Sequence, residues 1–244
     1  MNRRELLLGL AAVGLAGCTR RASRSSAEPT VGPTANPGAR YSSPTPLPAP
    51  VQDGSVSLER AIALRRSVRT FGPDPLPQAM VGQLLWAGQG ITDPDGKRAA
   101  PSAGALYPIE LYVVTSSQVM HYLPHGHRAE TRATADLRPQ LRSAAVDQQS
   151  VTAAPAVLVI AAQPDQTKRR YGSFTDAFVN LEAGHVAQNI LLTAAAHELA
   201  AVPVGSLDTA RCAQALELPP GQDVHYLIPV GRPALIPAGR PASH

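Results

Sequence analysis

From Thr175 to Leu199 the chain runs almost without charge: between Ala177 and Ala200 only Glu182 and Glu198 carry one. Phe178, Val179, Leu181, Val186, Ala187, Ile190, Leu191 and Leu192 fall nearly all round a helical projection. A soluble helix cannot leave such a surface in water, so its own domain or a second subunit must enclose it. The rest of the chain supplies covering elements. Ser57 to Arg66 predicts a helix capped by Ser55 or Ser57, with Leu58, Ala61, Ile62 and Leu64 on one face. Pro77 suits a first helical turn, Met80, Val81, Leu84 and Leu85 follow at helical spacing, and Gly88 and Gly90 stop the run. Ile109 to Thr115 reads as a strand. Ala156 to Ala161 reads as another, unbroken in its apolar character and suited to a sheet covered on both faces. Short strands are expected at Val202 to Ser206 and Val224 to Val230. Helices mixed with strands without strict alternation predict an α+β sandwich. No internal repeat is present.

The N-terminus reads as an address. Arg3 and Arg4 precede an apolar run from Leu6 to Leu15, long enough for a signal core and too short to span a bilayer. Leu15-Ala16-Gly17-Cys18 resembles a bacterial lipobox, which makes Cys18 the expected lipidation site of an exported, membrane-anchored lipoprotein on the extracytoplasmic face. Asn2-Arg3-Arg4-Glu5-Leu6-Leu7 resembles a twin-arginine signal, a route that exports folded proteins. Residues 1–18 are therefore expected to be the leader. Residues 19–54, rich in Pro, Ser, Thr, Ala and Gly, are expected to be a disordered tether. A domain of residues 55–244 follows. Loss of Arg3, Arg4 and Glu5 takes one unit from a formal net charge of only +4. No dense basic stripe with interleaved aromatics exists, so nucleic acid is not an expected partner.

Two segments carry candidate chemistry. Arg65-Arg66-Ser67-Val68-Arg69 sets three fixed positive charges beside a hydroxyl, which suits a phosphate because guanidinium offers forked donors and stays protonated. Basic residues at a helix C-terminus also complement its dipole, and taken singly that explanation is the simpler one. Pro101-Ser102-Ala103-Gly104-Ala105-Leu106-Tyr107-Pro108 has small residues that let backbone approach a flat ring, with Ser102 and main-chain amides to meet its polar edge. A proline-bounded loop is the plain alternative. His121, His125 and His127 are close in sequence, but no supporting carboxylate is adjacent, and they read as turn histidines in solvent rather than a metal site. His185 and Asn189, four apart on the long helix, read as a buried hydrogen-bonding pair. Of the two cysteines, Cys212 reads as a small buried apolar residue. No Gly-x-Ser-x-Gly elbow and no strand-borne GxGxxG is present.

Taken in order, the motifs resemble the nitroreductase family and its SagB/ThcOx-type dehydrogenase branch. The resemblance runs through Arg65 to Phe71, Leu84-Leu85-Trp86-Ala87-Gly88-Gln89-Gly90, and Arg98 with Pro101 to Pro108 and Glu110-Leu111-Tyr112. It continues through Tyr171-Gly172, Glu182 to Asn189, Val202-Pro203-Val204-Gly205 and Pro229 to Pro233, covering about Leu58 to Pro233. It implies a two-layer α+β sandwich with a central mixed β-sheet and a long buried helix, in a homodimer that binds FMN at the subunit interface. Arg65, Ser67 and Arg69, with Arg66 beside them, would then hold the phosphate and ribityl chain. Pro101, Ser102, Ala103 and Gly104 would line the site, from the partner subunit in one arrangement. Val204, Gly205 and Ser206 would place main-chain donors near the reactive edge, and Arg240 would add a basic residue at the phosphate. The implied activity is an FMN-dependent oxidoreductase that moves a hydride through flavin to or from a small-molecule or peptide substrate. The alternative is a non-catalytic flavin-binding or electron-relay lipoprotein. No residue is assigned as catalytic acid or base. Two departures concern the substrate: Phe174 and Ala177 stand where the branch commonly has basic residues, and His197-Glu198-Leu199-Ala200 replaces a Gly-Leu-Gly turn.

Overall fold

The computed structural model of the protein describes residues 42–234. The leader, Cys18, residues 19–41 of the expected tether and Arg240 lie outside the described residues. In chain order the elements are β1 (Thr45–Pro46), α1 (Leu58–Leu64), α2 (Gln78–Gln89), β2 (Ile109–Thr115), β3 (Val119–Leu123), β4 (Arg128–Ala133), α3 (Arg138–Ala144) and α4 (Ser150–Ala153). They continue with β5 (Ala156–Ala162), α5 (Asp165–Tyr171), α6 (Thr175–Ala196), β6 (Ala200–Ala201), α7 (Thr209–Ala215) and β7 (Asp223–Gly231). The strands form one seven-stranded sheet in the order β1-β4-β3-β2-β5-β7-β6. The α+β class is as expected. Every pairing is antiparallel, however, which corrects the expected mixed sheet.

β5 lies between β2 and β7, and all of Ala156–Ala162 is buried. Its alternate side chains serve two cores. Leu158 and Ile160 join Leu84, Leu85, Val186, Ile190 and Leu191 from α2 and α6 on one face. Val157, Val159 and Ala161 join Leu141, Val151 and Cys212 from α3, α4 and α7, with Leu216 just past α7, on the other. Helices thus cover both faces, giving three layers where two were expected. A fully buried Leu or Ile contributes about 1.5–3 kcal/mol, so the run Val186, Ile190, Leu191 holds α6 more firmly than any cap could. Gly88 makes this packing possible. A Cβ there would lie 3.0–3.2 Å from Leu111, Ile190 and Val186 side-chain atoms, so α2 approaches α6 and β2 closely.

The termini of the elements follow local chemistry. Ser57 caps α1, its side chain accepting from the Arg60 amide at 3.2 Å. Asp208 caps α7, accepting from the Arg211 amide at 3.0 Å. Pro77 immediately precedes α2, and Gly90 ends it. At the end of α6, His197 is the C-cap and Glu198 adopts φ +57. That left-handed position favours glycine, because a Cβ crowds the carbonyl there.

The expected boundary at Ser55 is too late. Thr45–Pro46 pairs with β4, Leu47 is buried, and the Gln83 side chain bonds both Val51 N (2.7 Å) and Val51 O (2.9 Å). Composition predicted a tether, but a strand of two residues and a single buried leucine suffice to dock it once an edge is offered. The short strand expected at Val202 to Ser206 is also displaced: β6 is Ala200–Ala201, and Val204 makes only an isolated bridge to Leu227. Among the described residues no helix is long and apolar enough to cross a membrane. Replacing Glu198 with glycine is expected to raise stability by about 1 kcal/mol. Thermal unfolding should show an increase of a few degrees; a decrease would mean that the Glu198 side chain makes a stabilising contact.

Candidate functional site

The arginine cluster lies just past α1, in extended chain rather than in the helix. Arg65 is the C-cap, and Ser67, Arg66 and Arg69 are exposed. The segment is fixed at both ends by backbone: Val68 N donates to Ala201 O (3.0 Å), Gly72 N to Arg232 O (2.9 Å), and Phe71 bridges Pro233. The peptide chain is therefore held while the side chains stay available. Arg66 Nη1 donates to Arg65 O at 2.8 Å, but none of Arg65, Arg66 and Arg69 forms an ion pair with a described carboxylate.

The three guanidiniums do not share one cleft. Arg65 and Arg66 line a cleft of about 340 Å³ with Arg60, Val68, Leu191, Ala195 and Ala201, where Glu198 is the one acidic residue. Arg69 and Thr70 line a separate one of about 460 Å³ against residues 146–150. Val204 exchanges two backbone bonds with Leu227 (2.8 and 3.1 Å). That anchors the chain just before Gly205 and Ser206, which are exposed. Gly205 lies close to the Tyr226 ring: a Cβ there would stand 3.3 Å from Cε1.

The loop containing Pro101, Ser102, Ala103 and Gly104 is built differently. Ala103–Ala105 is a single 3-10 turn, and Gly104 (φ +62), Ala105 (φ +54) and Tyr107 (φ +49) are all left-handed. Non-glycine residues take that conformation only when their surroundings impose it. Here Ser102 imposes it: its Oγ accepts from Tyr107 N at 2.8 Å and its carbonyl from Ala105 N at 3.1 Å. Behind the loop, Arg98 N donates to Tyr107 Oη (3.2 Å) and its guanidinium sits 4.7 Å from the centre of the Tyr107 ring. Arg98 Nη1 donates to Gln89 Oε1 at 2.7 Å. Burial lowers the Arg98 pKa, opposed chiefly by Glu110 and Glu182. Glu182, only 3% exposed, faces this group from α6, and burial pushes its carboxyl up to about 7 against the pull of Ser102 and Arg98.

Within one chain the Glu182 end of the loop and the arginine cleft lie at different levels of α6. The 98–107 loop meets α6 around Glu182 and Asn189, whose Nδ2 donates to Ala99 O at 3.4 Å. The arginine cleft meets α6 at Leu191 and Ala195. Between Glu182 and Leu191 the helix rises roughly 14 Å. Several sequence readings are corrected here. His185 is exposed and Asn189 only half-buried, so of the expected buried pair only Asn189 makes a tertiary hydrogen bond. His121 is not in solvent. It is buried on β3, bonded to Glu110 Oε2 (2.8 Å) and Glu130 Oε1 (3.2 Å), with its ring stacked on Tyr112 at 4.6 Å. Burial opposes its protonation, but the two carboxylates win and raise its pKa. Antiparallel register set Glu130 opposite His121, a proximity that sequence spacing alone concealed. Only His125 is exposed as expected; His127 bonds Tyr122 Oη (2.9 Å) and Pro48 O (3.0 Å). Among the described residues no group of ligating side chains could hold a metal. Cys212 is buried as expected, its thiol pushed up to about 11 by burial.

Residues 62–232 match the model of the nitroreductase family. A provisionally named nitroreductase of Methanocaldococcus jannaschii is 35% identical over 183 residues, spanning 72% of this chain and 91% of that protein. Among solved structures, a similarly named protein of Ralstonia eutropha JMP134 superposes with a TM-score of 0.73 at 29% identity, covering 84% of this chain and 94% of its own. The NADPH:FMN oxidoreductase of Vibrio harveyi, complexed with NAD+, shares the fold at a TM-score of 0.56 and 22% identity, with 76% and 72% covered.

A Cβ at Gly104 would stand 2.6 Å from Tyr171 Oη and 2.9 Å from Arg170 Nη1, both tips of side chains that can move. Backbone strain should therefore dominate the cost of Gly104→Ala, at about 1 kcal/mol. Denaturant titration is expected to show this loss in wild type and in a Tyr171→Phe background alike. Full recovery in the Tyr171→Phe background would show that the hydroxyl contact, not the dihedral, decides.

Proposed function

Because this chain belongs to the nitroreductase family, we propose that it is an FMN-dependent oxidoreductase resembling the SagB/ThcOx-type dehydrogenases. The observation that carries the reading is the set of arginines at 65, 66 and 69. They flank the Ser67 hydroxyl on a backbone pinned at Ala201 and Arg232, and none is neutralised by a described carboxylate. That donor set fits a phosphate monoester. Arg65 and Arg69 line different clefts that adjoin at Val68 and Arg69. They would grip the phosphate and ribityl end from either side of the segment that carries Ser67, and the exposed Gly205 and Ser206 would offer amides to a ring edge. When bound, FMN supplies the hydride chemistry; the chain's part is placement, anchoring and exclusion of water.

The loop of Pro101 to Gly104 lies roughly 14 Å along α6 from the arginine cleft, which supports a site shared between two protomers. A homodimer would also cover the exposed apolar side chains of Leu58, Ile62, Leu64 and Leu181 on α1 and α6. The site would take a small-molecule or peptide substrate. If the domain is exported, no NAD(P)H pool is maintained around it, and electrons would come from the substrate or from a membrane redox partner.

The purified domain is expected to be yellow, to stay oxidised on anaerobic addition of NADPH, and to lose most of its FMN affinity on Arg69→Ala. Colourless protein that cannot be reconstituted with FMN sinks the proposal. Flavin that no donor ever bleaches would favour a non-catalytic flavin-binding lipoprotein instead. Cys18→Ser is expected to move the protein from the membrane fraction to the soluble one, where sedimentation should give twice the chain mass. An unchanged membrane fraction removes the lipid anchor, and a monomer mass removes the shared site.

A further inference from the structure

Gly104, Ala105 and Tyr107 are all left-handed, and two of the three carry a side chain. Such a loop relaxes unless its contacts over-determine it. Its internal bonds, Tyr107 N to Ser102 Oγ (2.8 Å) and Ala105 N to Ser102 O (3.1 Å), close it on itself without fixing it to the domain. A second set of contacts ends on one side chain. Arg98 Nη1 donates to Gln89 Oε1 (2.7 Å), its guanidinium carbon stands 4.7 Å from the centre of the Tyr107 ring, and its amide donates to Tyr107 Oη (3.2 Å). Gln89 is the last residue of α2 and 1% exposed. Its Nε2 is buried with no partner among the described residues, so the bond to Arg98 is the one that orients the amide. The backbone of Arg98 is fixed as well. It bridges Ile91, Ala99 N donates to Gly90 O (2.9 Å), and Asn189 of α6 donates to Ala99 O (3.4 Å). Gly90 packs against Trp86, whose ring and carbonyl a Cβ would overlap, so this base does not slide.

We propose that Arg98 is a positioning residue for the FMN site: it joins Gln89 to Tyr107 and thereby holds the backbone of Pro101 to Gly104 in place. Arg98 is half-buried and forms no ion pair with a described carboxylate. Its charge is met by an amide oxygen and an aromatic face instead. Only a planar guanidinium can lie over a ring and donate in its own plane at the same time, which is why arginine suits this position. Tyr107 is the intermediary. Its ring takes the cation, its hydroxyl accepts from the Arg98 amide, and its own amide donates to Ser102 Oγ. A shift of the ring therefore moves Ser102, and with it the adjoining Ala103 and Gly104. Arg98 acts through these contacts and does not itself have to touch the flavin. The consequence for cofactor binding rests on the reading that Pro101 to Gly104 line the FMN site; the effect on the loop does not.

Amide hydrogen exchange on the folded, flavin-free domain tests the loop, and FMN titration tests its consequence. Arg98→Met keeps most of the aliphatic stem and removes the charge. It is expected to lower protection of the Ala105 and Tyr107 amides about tenfold, while the Val68 amide, bonded to Ala201 O in the arginine segment, is unchanged. Arg98→Lys keeps a cation beside the ring and should recover part of that protection. The FMN dissociation constant should rise about tenfold in Arg98→Met and in Tyr107→Leu, and no further in the double variant. The visible circular dichroism of bound FMN should change alike in all three. Wild-type protection of the loop amides in Arg98→Met overturns the proposal. So does an equal loss at Val68, which marks general loosening, and so do effects that multiply in the double variant. If Arg98→Met does not fold, Gln89→Met removes the anchoring acceptor and is held to the same outcomes. Failure of every form, wild type included, to bind FMN counts against the proposed function, while the exchange pattern still decides the role of Arg98.

Discussion

β5 offers no polar side chain from Ala156 to Ala162, and a central strand of that kind must be shielded from water on both faces. The placement of the other elements follows from this need. One face takes α2 and α6, the other α3, α4 and α7, and the flanking strands β2 and β7 extend each core sideways. A longer helix on the first face buries more of the strand per segment, and α6 fills that role along its whole length. The close approach of α2, permitted by Gly88, then closes the core.

α6 also organises the candidate site. Its apolar face is occupied by the sheet, and the segments that carry chemistry meet it from its middle to its C-terminal end. The loop of residues 98–107 meets it at Glu182 and Asn189, and the pinned arginine segment meets it at Leu191 and Ala195. These regions differ in physical character. The arginines are charged and without an ion pair to a described carboxylate, Arg66 and Arg69 fully exposed and Arg65 half-exposed, on a segment held by its backbone. The loop is strained and backed by a buried network in which Arg98, Gln89 and Glu182 have few partners to spare. A rigid, costly support behind one part and free charge at the other is the distribution expected when binding energy and positioning are supplied by different residues.

Much of the fold was legible because periodicity reports burial directly. α1, α2, β2, β5, α6 and β7 fall where apolar spacing and caps predict them. The misses share a cause. β1 is two residues long and finds its place only because β4 presents an open edge. His121 became a buried, ion-paired group because strand register put Glu110 and Glu130 beside it. His185 turned outward although its neighbours on α6 point inward, since a helix has one solvent-facing side even when its sequence is apolar nearly all round. In the first two cases the deciding contact joins residues whose separation along the chain carries no signal.

The amino-acid sequence by itself determined the helix that had to be enclosed, the strand that had to be covered twice, and the presence of an arginine cluster and a small-residue loop. These are properties of residue type and spacing, and water enforces them locally. Only the tertiary structure decided that Arg69 faces a different cleft from Arg65 and Arg66, and that the loop and the arginines lie at different levels of α6. Distances of that kind are set by sheet register and helix packing, which sum contacts over the whole chain and leave no mark in any one segment.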